Sequence, residues 1–204
     1  MQENIKAEGS QKTVEKLKEV ARIEFMKNGY AATKTRDIAN KAEVNLALMN
    51  YHFGSKEKLF EIVMLESIDK LFSFILPTLN DEKTSLGEKF DLLSEGYITM
   101  ILLEPNLPIF VLNEIQQNPA HFGNQIKMNS AIINSKYIAQ LKQADPDTDP
   151  IQHLITYLGI LLFPFFMRPV MTANGVIEEA SFKAAIQERQ RLAPLWMKKI
   201  VGIV

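Results

Sequence analysis

Along almost the whole chain, apolar residues recur at three- and four-residue intervals, the period of helices with one buried face, and no stretch alternates as a strand would. The first stripe, Val14, Leu17, Val20, Ala21 and Phe25, predicts a helix over about 10–27, stopped by Asn28-Gly29. A short helix follows from Thr35, whose hydroxyl can cap the free amides, to near Lys41, with Asp37 well placed against the dipole in its first turn. Asn45 can cap a second short helix that runs to Phe53 and stops at Gly54. Ser55 opens a longer one to about Leu76, which Pro77 should stop. Ser85 and Glu88 make a capping box for a helix to about Leu103, broken by Glu104-Pro105-Asn106, and Leu107 to Gln116 reads as a short helix. Asn118-Pro119 should start another, ending near Lys142. Beyond the loop at 144–150, Asp149-Pro150 opens a helix that Pro164 should kink and Pro169 end. A last helical region runs from about Glu178 to the C-terminus, bent near Pro194. The pattern is all-α, with about nine helices.

Two of these helices, short and joined by a tight turn, form the unit that places one helix in the major groove of DNA. The window containing them, 29–60, reads GYAATKTRDIANKAEVNLALMNYHFGSKEKLF. Phe25, Gly29, Tyr30, Thr33 and Thr35, then Asp37-Ile38-Ala39, then Ala42, Val44 and Asn45, then His52-Phe53, Ser55-Lys56-Glu57 and Leu59 resemble the DNA-binding domain of the TetR family of bacterial repressors. The resemblance covers about fifty residues, Gln11 to Phe60. Two departures stand out. Glu43 occupies the usual turn glycine, at some strain if its φ is positive, and Met49-Asn50 stands where Leu-Tyr is common. The resemblance implies a three-helix helix-turn-helix domain over 1–54. It also implies a larger helical domain over 55–204 that encloses an effector and pairs its last two helices across a two-fold axis.

Composition narrows the alternatives. With 47% hydrophobic and 23% charged residues the chain suits a globular protein, and the absence of cysteine removes disulfides and thiolate metal sites. The N-terminal stretch is polar rather than a leader, and the longest unbroken apolar run, Ile160 to Met167, is short of the ~20 residues of a membrane span. A cytoplasmic protein is expected. Residues 1–60 hold eleven Lys/Arg against eight Asp/Glu, whereas 61–204 hold twelve against sixteen, so a basic head sits on an acidic body. No nucleophile–His–acid arrangement, phosphate loop or metal cluster is evident, which disfavours an enzyme. No cofactor or metal is expected; a DNA-binding protein without an effector remains the other alternative.

Candidate residues follow from chemistry. On the second short helix Asn45, Met49, His52 and Phe53 share one face, while Ala47, Asn50 and Tyr51, flanked by Leu46 and Leu48, lie opposite. That outer face lacks the Lys and Glu of an ordinary solvent face. Amide and small apolar groups suit adenine edges and thymine methyls instead. By resemblance Arg36 reaches a base or its phosphate, and an Arg fork fits guanine. Lys56, with Lys34, Thr35, Tyr51 and Lys58, suits phosphates, and His52 either packs or bonds one. The expected partner is double-stranded DNA carrying a near-palindromic operator, read by a homodimer. In the body, Tyr97, Met100, Phe110, Asn113, His121, Phe122, His153 and Tyr157 are candidates to hold a small apolar or amphipathic effector, although the same aromatic residues are what cores contain. His121 and His153 have no acidic partner at metal-ligand spacing.

Overall fold

The computed structural model describes residues 2–117 and 128–203, and among them there are eleven helices and no strand. The chain divides into two compact units, Met1–Lys70 and Leu71–Val204.

In the first unit α1 (Gln2–Ala32), α2 (Thr35–Lys41), α3 (Leu46–Phe53) and the greater part of α4 (Lys56–Phe72) enclose a small core. α1 is longer than its apolar stripe, and the expected stop at Gly29 appears as a single residue with φ 74° that redirects the chain. Leu17, Ala21 and Phe25 of α1, Ile38 and Ala39 of α2, Met49 and Phe53 of α3, and Leu59 and Val63 of α4 are all buried. The Phe25 ring meets Phe60 edge-on at 5.0 Å, and Tyr30 lies 4.8 Å from Phe60. Burying one such ring contributes ~2–3 kcal/mol. Thr33 seals the corner: its buried hydroxyl lies 2.7 Å from the Gly29 carbonyl and 3.1 Å from that of Glu24.

The caps show where local chemistry was read correctly and where it was not. Asn45 accepts the Leu48 N–H at 2.7 Å, and Ser85 and Glu88 form the reciprocal box. Thr35, by contrast, is the first residue inside α2. Lys34 is the cap, and its carbonyl receives the Asp37 and Ile38 amides while its side chain caps nothing. Glu43 does adopt φ 57°, and its carboxylate is held 2.5 Å from the Lys16 ammonium.

In the second unit α6 (Leu86–Leu103) is the central helix, burying Phe90, Leu93, Tyr97, Ile98 and Ile101. It packs most extensively on α11 (Glu179–Ile200), with α10 (Pro150–Ala173), α9 (Lys136–Ala144) and α5 (Ile75–Asn80) around it. α7 (Leu107–Gln117) and α8 (Met128–Ile133) complete the unit.

Prolines end fewer helices here than their composition suggests. α4 closes at Phe72, and Pro77 lies in the first turn of the separate helix α5, where an amide would be unpaired in any case. The expected helix from Asn118 to Lys142 begins outside the described residues. Its described part breaks before Ser135, whose hydroxyl accepts the Ile138 N–H and starts α9 afresh. α10 runs through both Pro164 and Pro169 to Ala173. Pro164 cannot pair with the carbonyl of Ile160 four residues earlier, and the Nε of Arg189 on α11 donates to that carbonyl at 2.6 Å. Beyond it Phe165 meets Phe182 edge-on at 5.9 Å, and Arg168 pairs with Glu179, so contacts with α11 hold the segment helical. By length and composition α10 is apolar enough to cross a membrane, which the unbroken-run criterion did not register. His153, Tyr157, Leu161 and Phe165 form its buried stripe, while Ile155, Leu158, Phe163, Phe166 and Val170 are exposed.

Candidate nucleic-acid interface and body cavity

α3 is anchored by Met49 and Phe53, which face the small core, so the opposite side is presented outward by geometry alone. Ala47, Leu48, Asn50 and Tyr51 are exposed there, Tyr51 at 81%, and Leu46 is half-buried. Asn45 is exposed, but its side-chain oxygen is committed to the cap, leaving only its amide NH2 for a ligand. His52 is half-buried between the rings of Tyr51, at 5.3 Å, and Phe53, at 6.3 Å. An outward helix face with an amide, a phenol and aliphatic groups can meet base edges and methyl groups without having to strip solvent from charges.

The cations sort themselves around this face. Lys16, Lys18, Arg22 and Lys41 are engaged by Glu43, Glu66, Glu19 and Glu24 within the unit. Lys34, Arg36, Lys56 and Lys58 have no carboxylate partner among the described residues, and all four flank α2, α3 or the start of α4. A net charge of this half could not reveal which cations are already neutralised. Lys56 is half-buried, with its ammonium 4.3 Å from the Tyr30 ring centre, a contact that sequence reading missed. It fixes the position of the charge and is worth ~0.5–1 kcal/mol near the surface. The Ser55 hydroxyl accepts the Lys58 N–H at 3.2 Å, so Lys56 and Lys58 stand in the capped first turn of a helix, a favourable place for a phosphate. Arg36 is exposed in the first turn of α2, and Thr35 beside it is half-buried.

The second unit holds an apolar cavity of about 190 Å³. Of the expected effector residues, Tyr97 and Tyr157 line it; Met100, Phe110, Asn113 and His153 are not among its lining residues. His121 and Phe122 lie outside the described residues. Most of the wall consists of aliphatic residues such as Ile75, Leu79, Leu112 and Ile115, together with Phe72, the last residue of α4. Nothing in their type separates them from core, so only the fold reveals them. Tyr157 is fixed by a 2.8 Å bond with Ser94 and by donating to the Phe90 carbonyl. His153 does have an acidic partner. Asp145, in the loop before α10, lies 3.0 Å from its Nε2, and hydrogen bonds from Thr148 and then His153 hold the Asp145 carboxyl below its usual range. The pair ties a loop to a helix, and no group of three metal-binding side chains occurs among the described residues.

Comparison with known proteins places this geometry. Residues 17–63 match the family model for bacterial regulatory proteins of the tetR family. The chain is 28% identical over 169 residues to the Bacillus subtilis (strain 168) protein named "Probable HTH-type transcriptional regulator YttP", covering 77% of this chain and 78% of that one. In fold it is similar to a TetR-like transcriptional regulator from Rhodococcus sp. RHA1, at TM-score 0.64 and 20% identity, covering 93% of this chain and 96% of that one. A mutant form of the HlyIIR protein is similar at TM-score 0.60 and 20% identity, over 86% and 96% of the two chains. The matched residues are those that build α3 and its supports: residues 17–63 carry the DNA-binding domain of tetR-type bacterial regulatory proteins, the all-helical body follows the fold of TetR-like regulators, and the chain is a DNA-binding transcriptional regulator.

Proposed function

We propose that the protein is a homodimeric repressor that leaves a near-palindromic operator when a small, largely apolar molecule enters the body. The observation that carries the DNA half is the uncharged outer face of α3, ringed by cations that no carboxylate among the described residues has claimed. In this reading Asn50, Ala47 and Leu48 meet base edges, and Arg36 reaches a base or phosphate. Lys34, Lys56, Lys58 and the hydroxyls of Thr35 and Tyr51 hold the backbone. Asn45, Leu46 and His52 orient the helix and border the contact.

Dimerisation is supported by exposed apolar side chains on the last two helices, including Leu158, Phe163 and Phe166 of α10 with Leu195, Trp196 and Ile200 of α11. A two-fold dimer sets its reading helices on half-sites ~34–36 Å apart or a multiple of that, which calls for a near-palindrome. Release is supported by the cavity and by α4, which runs from Lys56 in the phosphate-binding turn to Phe72 in the cavity wall. A ligand acts only through a difference in affinity between DNA-competent and incompetent states, and ~1–3 kcal/mol would lower operator affinity about 5–150-fold. Such a regulator works in the bacterial cytoplasm, with its DNA.

Selecting bound fragments from the native genome tests the reading. An inverted repeat shared by the fragments, bound by a dimer in sedimentation, is the expected result. A single asymmetric half-site bound with full affinity by a monomer of about 23 kDa overturns it.

A further inference from the structure

The cavity of the second unit is closed to polar chemistry, and its tyrosines show why. Apart from Phe72, Pro108 and three tyrosines the wall is aliphatic, and no charged or amide side chain contributes. The Tyr157 hydroxyl is spent on Ser94, at 2.8 Å, and on the Phe90 carbonyl. The Tyr137 hydroxyl is fully buried, with essentially no accessible surface to offer a molecule in the cavity. Tyr97 is 5% exposed, and the surface the cavity presents is almost wholly carbon, so Tyr97 too contributes its ring rather than its hydroxyl. Burial pushes all three hydroxyls above their ordinary pKa, so none becomes a phenolate that could hold a cation. A polar group brought here exchanges its water for nothing, and an ion does so at far greater cost.

We infer that the cavity is a hydrocarbon site. It takes a compact, uncharged molecule with no hydrogen-bonding group, held by transfer from water and by contacts with the wall. The inference rests on the effector reading above and names the class of effector. An empty apolar space forfeits contacts along its whole lining, and only a molecule without polar atoms restores them at no cost in hydration. A lining of Leu, Ile and Phe around roughly 150 Å³ stays dry and takes up benzene, so about 190 Å³ admits one ring carrying about two further carbons. A long acyl chain is too large.

Three molecules of one shape make the test: ethylbenzene, benzyl alcohol, in which a hydroxyl replaces the methyl, and benzylammonium, in which a charged group does. Calorimetric titration of the full chain should show ethylbenzene binding about tenfold tighter or more than benzyl alcohol, whose hydroxyl is left without a partner. Benzylammonium should not bind. Leu112→Phe on α7 and Leu154→Phe on α10 each fill the space from a half-buried position in the wall. Each should weaken ethylbenzene about tenfold or more, with the helical circular dichroism retained. Tyr97→Phe and Tyr137→Phe should leave the ranking of the three molecules intact. Four results overturn the assignment: benzyl alcohol or benzylammonium binding as tightly as ethylbenzene, no binding by any of the three, ethylbenzene binding untouched by both filling substitutions, or a ranking that changes with either tyrosine. Gel shifts with the same compounds keep the two readings apart. Ethylbenzene that binds as described yet leaves DNA affinity unchanged defeats the effector reading and leaves the hydrocarbon site standing. Benzyl alcohol that binds as tightly as ethylbenzene and releases DNA overturns the hydrocarbon site and leaves the effector reading standing.

Discussion

Arg189 offers the sharpest test of how the body holds together. Its Nε donates at 2.6 Å to the Ile160 carbonyl, the acceptor that Pro164 leaves without a helical partner, and its guanidinium lies 5.1 Å from the Trp196 ring centre. Arg189→Met keeps much of the stem's packing and removes the donor. An acceptor left half-buried and unpaired costs ~1–3 kcal/mol, and the lost cation–π contact adds ~0.5–1. Loss of about 2 kcal/mol would lower Tm by roughly 4–8 °C for a chain of this size. The discriminating step is the same substitution in a Pro164→Ala background, where the new amide can pair with Ile160 directly. There only the ring contact remains to lose, so the two changes should couple by about 1–2 kcal/mol. Far-UV melts at one protein concentration measure all four variants, and emission from the single tryptophan reports the local site. Equal costs of Arg189→Met in both backgrounds would show that Arg189 does not complete the helix at Pro164.

Other consequences are separable. Arg36→Ala should cost ~1–3 kcal/mol on the preferred sequence and relax its specificity, whereas Lys56→Ala should weaken all sequences alike and reduce the log–log salt slope by ~0.9 per protomer; gel shifts across a salt series distinguish the two, and unchanged values remove either residue from the interface. Gly96→Ala should destabilise despite a helix-propensity gain of ~1 kcal/mol, because the added Cβ would lie 2.3 Å from the Phe74 ring and such overpacking costs ~1–3 kcal/mol; a raised Tm would contradict that packing. Asp145, whose folded pKa is depressed by Thr148 and His153, contributes stability above its unfolded pKa of ~3.9 that disappears as pH falls through the folded value. The wild-type advantage over Asp145→Asn in urea melts should therefore be present at pH 7 and fade below about pH 4; a pH-independent difference would mean the carboxylate's charge is irrelevant.

What the sequence disclosed and what it hid divide along physical lines. Short-range chemistry was legible: the Asn45 and Ser85 caps, the strained Glu43 turn and the outward face of α3 depend on residues within one or two turns of each other. Contacts across the chain were not. The Ile160 carbonyl needs Arg189, 29 residues away, before a helix can pass Pro164, and the end of α10 is held by Phe182 and Glu179 rather than by local propensity. The Tyr30–Lys56 contact likewise joins residues far apart in sequence. The cavity was the least legible feature, because Ile75, Leu79 and Leu112 are lining or core according to whether a neighbour fills the space beside them. Polar candidates such as Asn113 drew notice by type and proved exposed.

The central claim is that the α3 face reads DNA sequence. Fluorescence anisotropy at one fixed, near-physiological salt concentration, comparing the selected site with a scrambled duplex of the same length, measures it directly. The account predicts a preference of ~10³-fold or more, which Asn50→Ala with Tyr51→Ala lowers toward the scrambled level while the fold, checked by circular dichroism, is retained. Equal affinity for the two duplexes, or a preference untouched by the double substitution, would contradict it.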